Sequence, residues 1–233
     1  MQKNLLHEIA GITGGTKGAF NIRLDGGLAG RNTTSNIDIQ TKKDKPGIDI
    51  LIKPGTKGEE VHIPVLLDQS GYQETVYNDF YVGADCDVTI IAGCGIHNCG
   101  EGESRHDGVH EFFVRKNATV RYVERHYGQG DGSGERVMNP TTIVHLDENA
   151  HMIMETTQIK GVDSTLRVTR ADLGARASLV IREKIMTHGG QTAQTDFSVE
   201  LNGEDSSANV ISRSVAKGES RQHFQSAIHG NNR

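Results

Sequence analysis

Apolar and polar residues alternate along most of this chain, and four stretches do so in one frame. Each opens on a small residue, Ala118, Ala150, Ala177 or Ala208, followed by a polar position (Thr119, His151, Ser178, Asn209) and then an apolar one (Val120, Met152, Leu179, Val210). Alternation of this kind places successive side chains on opposite faces of a β-strand. Recurrence at intervals of 32, 27 and 31 residues (118 to 150, 150 to 177, 177 to 208) predicts stacked units, each burying its apolar face against the next. A fainter copy begins at Ala84, with Asp85 polar and Cys86, Val88 and Ile90 apolar. The expected fold class is all-β, a β-solenoid.

Ahead of these copies, NIDIQ, GIDILIKPG and EEVHIPVLLD alternate in the same way between Gly, Pro, Lys or Asp corners and read as the first coils. Residues 2–10, with Leu5, Leu6 and Ile9 on one side, predict a short helix that GITGGTKGAF breaks. The organisation expected is an N-terminal helical and irregular segment over 1–34 and one solenoid over 35–233. Two Gly-rich interruptions, 93–108 and 128–139, are expected as loops on one face. The final strand, around His223 to Ile228, is followed only by HGNNR, so its edge is expected to pair with another chain or to be continued.

Composition narrows the function classes. With 25 Lys and Arg against 30 Asp and Glu, a net charge of −5 and no basic stripe, nucleic-acid binding is unsupported. No apolar run approaches the roughly 20 residues of a membrane span, and MQKNLLHEIAG lacks the features of a signal peptide. Three cysteines without a secretion signal predict free thiols in a reducing, cytoplasmic setting.

Candidate chemistry concentrates in GCGIHNCGEGESRHDGVHE, which holds Cys94, His97, Cys99, His106, Asp107 and His110. Thiolate and imidazole bind iron, zinc or copper, and thiolate also accepts or attacks sulfur. No second cysteine pair follows, so a closed structural zinc site is not available. Cys86 reads as a packing residue in the apolar column. Cys94, after VTIIAG, is read at the point where a strand gives way to a loop. GQGDGSG lacks the lysine and helix of a phosphate loop and reads as a corner insertion. Glu124 and Asp131 are possible acid–base groups without a fixed partner. His126 and His145 fall in or beside strands, where stacked polar residues would be costly to bury without a use.

The segment from IIAGCGIHNCGEGESRHDGVHEFFVRKNATVRYVERHYGQGDGSG through HLDENAHMIMETTQIKG and RADLGARASLVIRE to SRSVAKGESRQHFQSAIHG resembles the β-helical core of SufB and SufD, scaffold subunits of the Suf machinery for iron–sulfur cluster assembly. The resemblance spans roughly residues 35 to 233 and is distributed rather than confined to a short motif. It implies a right-handed parallel β-helix, a non-enzymatic scaffold, transient binding of iron and an iron–sulfur cluster, and a SufC-like ATPase as partner. It further implies a sulfur donor protein and pairing with a SufB- or SufD-like subunit, or with itself, through the β-helix edge. By the same resemblance Cys94 matches a cysteine that receives or passes sulfur, and His126 falls on an interior route for it. Cys99 is a further sulfur or cluster candidate, with His97, His106 and His110 as metal candidates. The family's later coils and C-terminal helical region are expected to be absent. Two other readings stand beside this one: a metal-dependent solenoid enzyme with a mononuclear site in the 94–110 loop, and a structural edge-pairing module in which Phe224 sits in a buried column.

Overall fold

The structure, a computed structural model, describes residues 18–232. The expected helix over 2–10 lies outside them. The described residues form 17 strands and no helix. One sheet of eight strands runs β16 (Ser207–Lys217), β14 (Ser178–His188), β12 (His151–Lys160), β9 (Thr119–Gln129), β7 (Asp87–His97), β5 (Lys57–Leu67), β1 (Ala19–Leu24) and β2 (Gly27–Asn32). The facing sheet runs β17 (Arg221–Gly230), β15 (Thr192–Leu201), β13 (Ser164–Leu173), β10 (Arg136–Met138), β8 (Ser104–Val114), β6 (Gln73–Val82), β4 (Gly47–Ile52) and β3 (Ile37–Thr41), with β11 (Thr141–Leu146) also between β8 and β13. From β4 onward the strands alternate between the sheets, with β10 and β11 sharing one passage, and pair in parallel one coil apart, which makes the molecule a β-solenoid. Its first coils carry two antiparallel hairpins, β1 with β2 and β3 with β4. β1 also pairs in parallel with β5, so solenoid strands occur before residue 35. Among the described residues no helix is long and apolar enough to cross a membrane.

Each passage into the first sheet turns on a residue with positive φ: Gly55, Asp85, Asn117, Asn149, Arg176 and Asp205, the five non-glycines lying between 56° and 60°. Asn and Asp tolerate this left-handed conformation best among non-glycine residues. Asn149 donates through Nδ2 to Asn117 Oδ1, and Asn117 donates likewise to Asp85 Oδ1, each at 3.0 Å, forming a ladder up the corner. The residue after each turn is small and buried in the middle coils: Cys86, Ala118, Ala150 and Ala177. Its carbonyl or amide links to the next coil, as in Thr119 N to Cys86 O and His151 N to Ala118 O, both 2.8 Å.

This register corrects two of the five sequence copies. Leu179 lies opposite Ala208, so Ser206 rather than Ala208 continues the alanine column. Val88 lies opposite Val120, so Cys86 stands in the small-residue column and not in the column of Val120, Met152 and Leu179. It still packs, at 1% exposure, with Sγ 3.1 Å from Lys53 O.

The interior is divided lengthwise. Near the ladder it is apolar, built from Val88, Ile90, Val120, Met152, Leu179 and Ile181 against Phe112, Val144, Leu173 and Val199. At the opposite corner a smaller cluster joins Val65, Leu67, Cys94, Ile96, Met138 and Val162. Between the two, inward positions turn polar: Glu124, Thr156 and Glu183 on one sheet, His110, Thr142, Arg167 and Thr195 on the other.

The segment 93–108 is not a loop insertion. Residues 93–97 complete β7 and 104–108 open β8, leaving a short turn that pairs with the Gly-rich turn of 130–135. Gly132 N and Gly134 N donate to Asn98 O and Gly100 O, and buried Asn98 holds both turns through Nδ2 to Gly102 O and Gly134 O. A Cβ on Gly130 would stand 2.1 Å from Asn98 O, so glycine is required for this approach.

Candidate functional site

Cys94 sits within β7, not at its end, and is 3% exposed. Inward strand parity aims it at a cavity of about 20 Å³ whose wall includes His106, His110, Glu124, His126 and Met138. That is space for about one water molecule. His126 is the register partner of Cys94 on the next coil, and Gln158 follows His126. On the facing strand Gly108 leaves room between the rings of His106 and His110: a Cβ there would meet His106 Nε2 at 3.2 Å and His110 Nε2 at 3.6 Å. The structure therefore gathers Cys94, His106, His110 and His126 around one buried space.

A hydrogen-bonded ion network forms the rest of the wall. Arg167 Nη1 donates to Glu124 Oε2 at 2.5 Å, and its Nη2 is 3.3 Å from His126 Nδ1. Its Nε lies 3.3 Å from Glu183 Oε2 but is not aligned for a hydrogen bond. Glu183 is held by Thr195 and Ser212 at 3.1 and 2.8 Å. Tyr122 donates to Glu124 Oε1 at 2.9 Å and meets His110 Nδ1 at 2.7 Å, while Asn78 Nδ2 reaches His110 Nε2 at 3.2 Å. His106 Nδ1 pairs with Glu74 Oε1 at 3.1 Å, and Arg23 bonds the other oxygen of Glu74.

Protonation follows from this geometry. Burial opposes the charge on Glu124, but His126 and Arg167 outweigh it and hold the carboxyl well below its usual range. Burial likewise works against the Arg167 guanidinium, and the carboxylates of Glu124 and Glu183 more than restore it. His110 is pushed down to about 4, by burial first, with Glu124 opposing and His106 and His126 reinforcing. Burial raises the Cys94 thiol well above its ordinary value, and Glu74 and Glu124 add to the effect. In this closed arrangement Cys94 is a neutral thiol, shielded from water and facing three imidazoles.

His97 and Cys99 lie elsewhere, on the turn after β7. Cys99 is exposed, its Sγ 3.1 Å from His97 Nε2, and His97 Nδ1 is 3.0 Å from Asp68 Oδ1. His97, His106 and His110 are thus not brought together. Among the described residues no three His, Cys, Asp or Glu side chains are placed to hold a metal ion. His145 is on the outer face of β11, stacked on Phe113 and paired with Glu111 and Asp172. Sequence reasoning did not single out Arg167, Glu183 or Glu74. The available signal was a charged residue on the inward parity of a strand, since Arg167 alternates in step with Thr165, Thr169 and Ala171.

Known proteins are similar to this chain in sequence. Residues 68–232 match the family profile described as SUF system FeS cluster assembly, SufBD core domain. An iron-sulfur cluster assembly SufBD family protein of Archaeoglobus fulgidus is 28% identical over 179 residues, covering 76% of this chain and 46% of that protein. A protein of the same description from Methanocaldococcus jannaschii is 23% identical over 184 residues, covering 78% of this chain and 57% of that protein. The chain spans about half the length of these curated relatives. With a profile match over most of its length and the solenoid to carry it, the chain belongs to the SufBD family of the SUF iron–sulfur cluster assembly system.

Proposed function

We propose that this chain is a non-enzymatic scaffold component for iron–sulfur cluster assembly in the cytoplasm, with Cys94 as the thiol that holds sulfur on its way into a cluster. The observation that carries the reading is a thiol set into a water-sized cavity walled by three imidazoles and a carboxylate in the interior of the solenoid. A buried polar group set of this size is costly to maintain for packing alone. A persulfide held there is out of reach of bulk reductants, and His106 or His126 can take the proton that Cys94 must lose to bond sulfur. The cluster is cargo. Its remaining ligands are assigned to a partner, either a SufB- or SufD-like subunit or a second copy, paired through the solenoid edge. A SufC-like ATPase and a sulfur donor protein complete the proposed set.

The test is iron and acid-labile sulfide content after anaerobic reconstitution of the chain, of Cys94→Ala and of Cys86→Ala. Cys94→Ala is expected to lose most of the bound sulfide while costing about 1 kcal/mol of stability, the scale of deleting one buried heavy atom. Cys86→Ala, a packing change only, is expected to load normally. Equal loading by all three proteins would overturn the assignment of Cys94.

A further inference from the structure

The outer face of the eight-stranded sheet carries a row of cations that the interior chemistry does not use. Arg125 on β9, Thr157 on β12, Lys184 on β14 and Arg213 on β16 are register partners on successive coils. Their chain neighbours Glu124, His126, Thr156 and Glu183 are buried, so strand parity turns this row to solvent, and Arg125, Lys184 and Arg213 are all exposed. The row beside it is matched internally, because Glu155 pairs with Arg121 at 2.7 Å and with Arg182 at 3.5 Å. Among the described residues Arg125, Lys184 and Arg213 have no carboxylate partner. Lys184 and Arg213 stand directly opposite each other on paired strands, a like-charge arrangement that costs stability until an anion relieves it. Two residues further along the strands, Ile159, Met186 and Val215 are 50%, 37% and 58% exposed, and Met186 and Val215 are again register partners. Exposed Lys160 and Lys217 border this apolar strip on its far side.

We propose that this strip is a docking surface for an acidic amphipathic helix of a partner protein. The cations stand on parallel strands about 4.8 Å apart and project side by side, so they match carboxylates spread along a segment rather than one small oxyanion. From Arg125 to Arg213 is three strand steps, about 14 Å, the rise of roughly ten residues of helix. The apolar stripe of such a helix covers Ile159, Met186 and Val215, and acidic residues beside the stripe meet Arg125, Lys184 and Arg213 on one flank and Lys160 and Lys217 on the other. A depression of about 160 Å³, with Lys184, Ile211 and Arg213 in its wall, receives a side chain of the helix. The chain as a whole carries a net charge of −5, which opposes approach to an anionic membrane and favours a protein as the occupant. The inference goes beyond the scaffold reading and rests on this surface alone.

The experiment uses the whole chain and a fluorescein-labelled helical peptide of leucine and glutamate, read by fluorescence anisotropy, with a leucine and lysine peptide of the same length as control. The acidic peptide is expected to bind, more weakly as salt rises, and the basic one not to bind. Lys184→Gln combined with Arg213→Gln is expected to weaken binding about tenfold or more and to reduce its salt dependence, and Met186→Ser to weaken it about threefold with the salt dependence kept. Thermal unfolding of the free double variant is expected at the same temperature or higher, since a like-charge contact is removed. Absence of binding, binding unchanged in the double variant, or a lower thermal midpoint for it would each overturn the proposal. Displacement of the peptide by inorganic phosphate, but not by sodium chloride of equal ionic strength, would replace the helix by a small oxyanion. Binding to phosphatidylglycerol vesicles without binding of the peptide would replace it by a membrane. Sulfide loading of the double variant is expected to match that of the unaltered chain, so failure of this proposal leaves the assignment of Cys94 separate.

Discussion

A charge at the centre of this solenoid is tolerable only because every member of its network is present. Arg167 is 2% exposed and Glu124 3%, and removing either takes from the other a close partner for its buried charge. Arg167→Met leaves Glu124 and Glu183 without the guanidinium they share, and is expected to cost about 3–5 kcal/mol in urea denaturation. Adding Glu124→Gln to it should recover part of that loss, because the carboxylate stranded by the first change is then gone; a fully additive pair would show that the two side chains are not coupled. His110 supplies the pH dependence. Its folded value of about 4 lies below the ordinary 6.5 of an unfolded histidine, so between these values the unfolded chain binds the extra proton and stability rises with pH. This contribution, roughly 3 kcal/mol, is complete above about pH 6.5 and lost as pH falls toward 4. Glu124, depressed in the folded state, acts in a lower window: its contribution persists above the ordinary carboxylate value and disappears as pH falls through its own lowered one. His110→Gln should therefore flatten the stability profile between about pH 6.5 and pH 4.5 and leave the acid limb below it, as read from denaturation midpoints across pH. An unchanged slope in the upper window would mean that His110 is charged in the fold.

At the scale of the strand and its corner, the left-handed ladder sets the register of the coils. Asn117→Ala places a Cβ-bearing residue without amide bonds at φ 60° and cuts the ladder on both sides, an expected loss of about 1–2 kcal/mol. Arg176 stands at the same corner at φ 57°, where a long side chain has no advantage over asparagine. Arg176→Asn should extend the ladder to Asn149 and raise the thermal midpoint by a few degrees, despite losing the surface ion pair with Glu148. A lower midpoint would show that the ion pair outweighs the corner. The same ladder explains what alternation in the sequence could and could not reveal. Strand content, inward and outward faces and three successive copies were legible, because Ala118, Ala150 and Ala177 share one frame. The copies at Ala84 and Ala208 slipped by two residues, since a slip of two preserves side-chain parity and leaves the apolar pattern intact. Only the turn residue breaks that degeneracy, and Asp85 and Asp205 marked it without being read. The register pairing of Cys94 with His126 was not read from the sequence, which placed each only through the family resemblance, and Arg167 and Glu183 were not singled out, because contacts across the interior depend on which facing strands share a level. The separation of His97 and Cys99 from His106 and His110 was hidden by the bend at residues 98–103, which leaves one half of the motif on the turn and sends the other into the interior.

A solenoid joins each coil only to its neighbours, so stability varies along its axis rather than being shared by the whole molecule. In the middle coils both strand edges are paired and the inward residues are fully covered. In the last coil, β16 and β17 each pair on one side, and Val215, Phe224 and Ile228 are 58%, 46% and 43% exposed. Phe224 is thus not in a buried column within this chain, and Phe224→Asp is expected to alter the stability of the isolated chain by less than about 1 kcal/mol. The proposed pairing of solenoid edges makes a different demand, because an apolar, hydrogen-bonding edge is a template for another strand. Amide hydrogen exchange measured at a dilute and a concentrated condition tests that demand. Protection in β7, β9, β12 and β13 should be high and independent of concentration, since their ladders are complete within one chain. Protection in β16 and β17 should rise with concentration, and Phe224→Asp should abolish that rise while leaving the central coils unaffected. Equal exchange from β16 and β17 at both concentrations would show that this edge does not bind a second copy, and would direct the pairing proposal to a different subunit as its occupant.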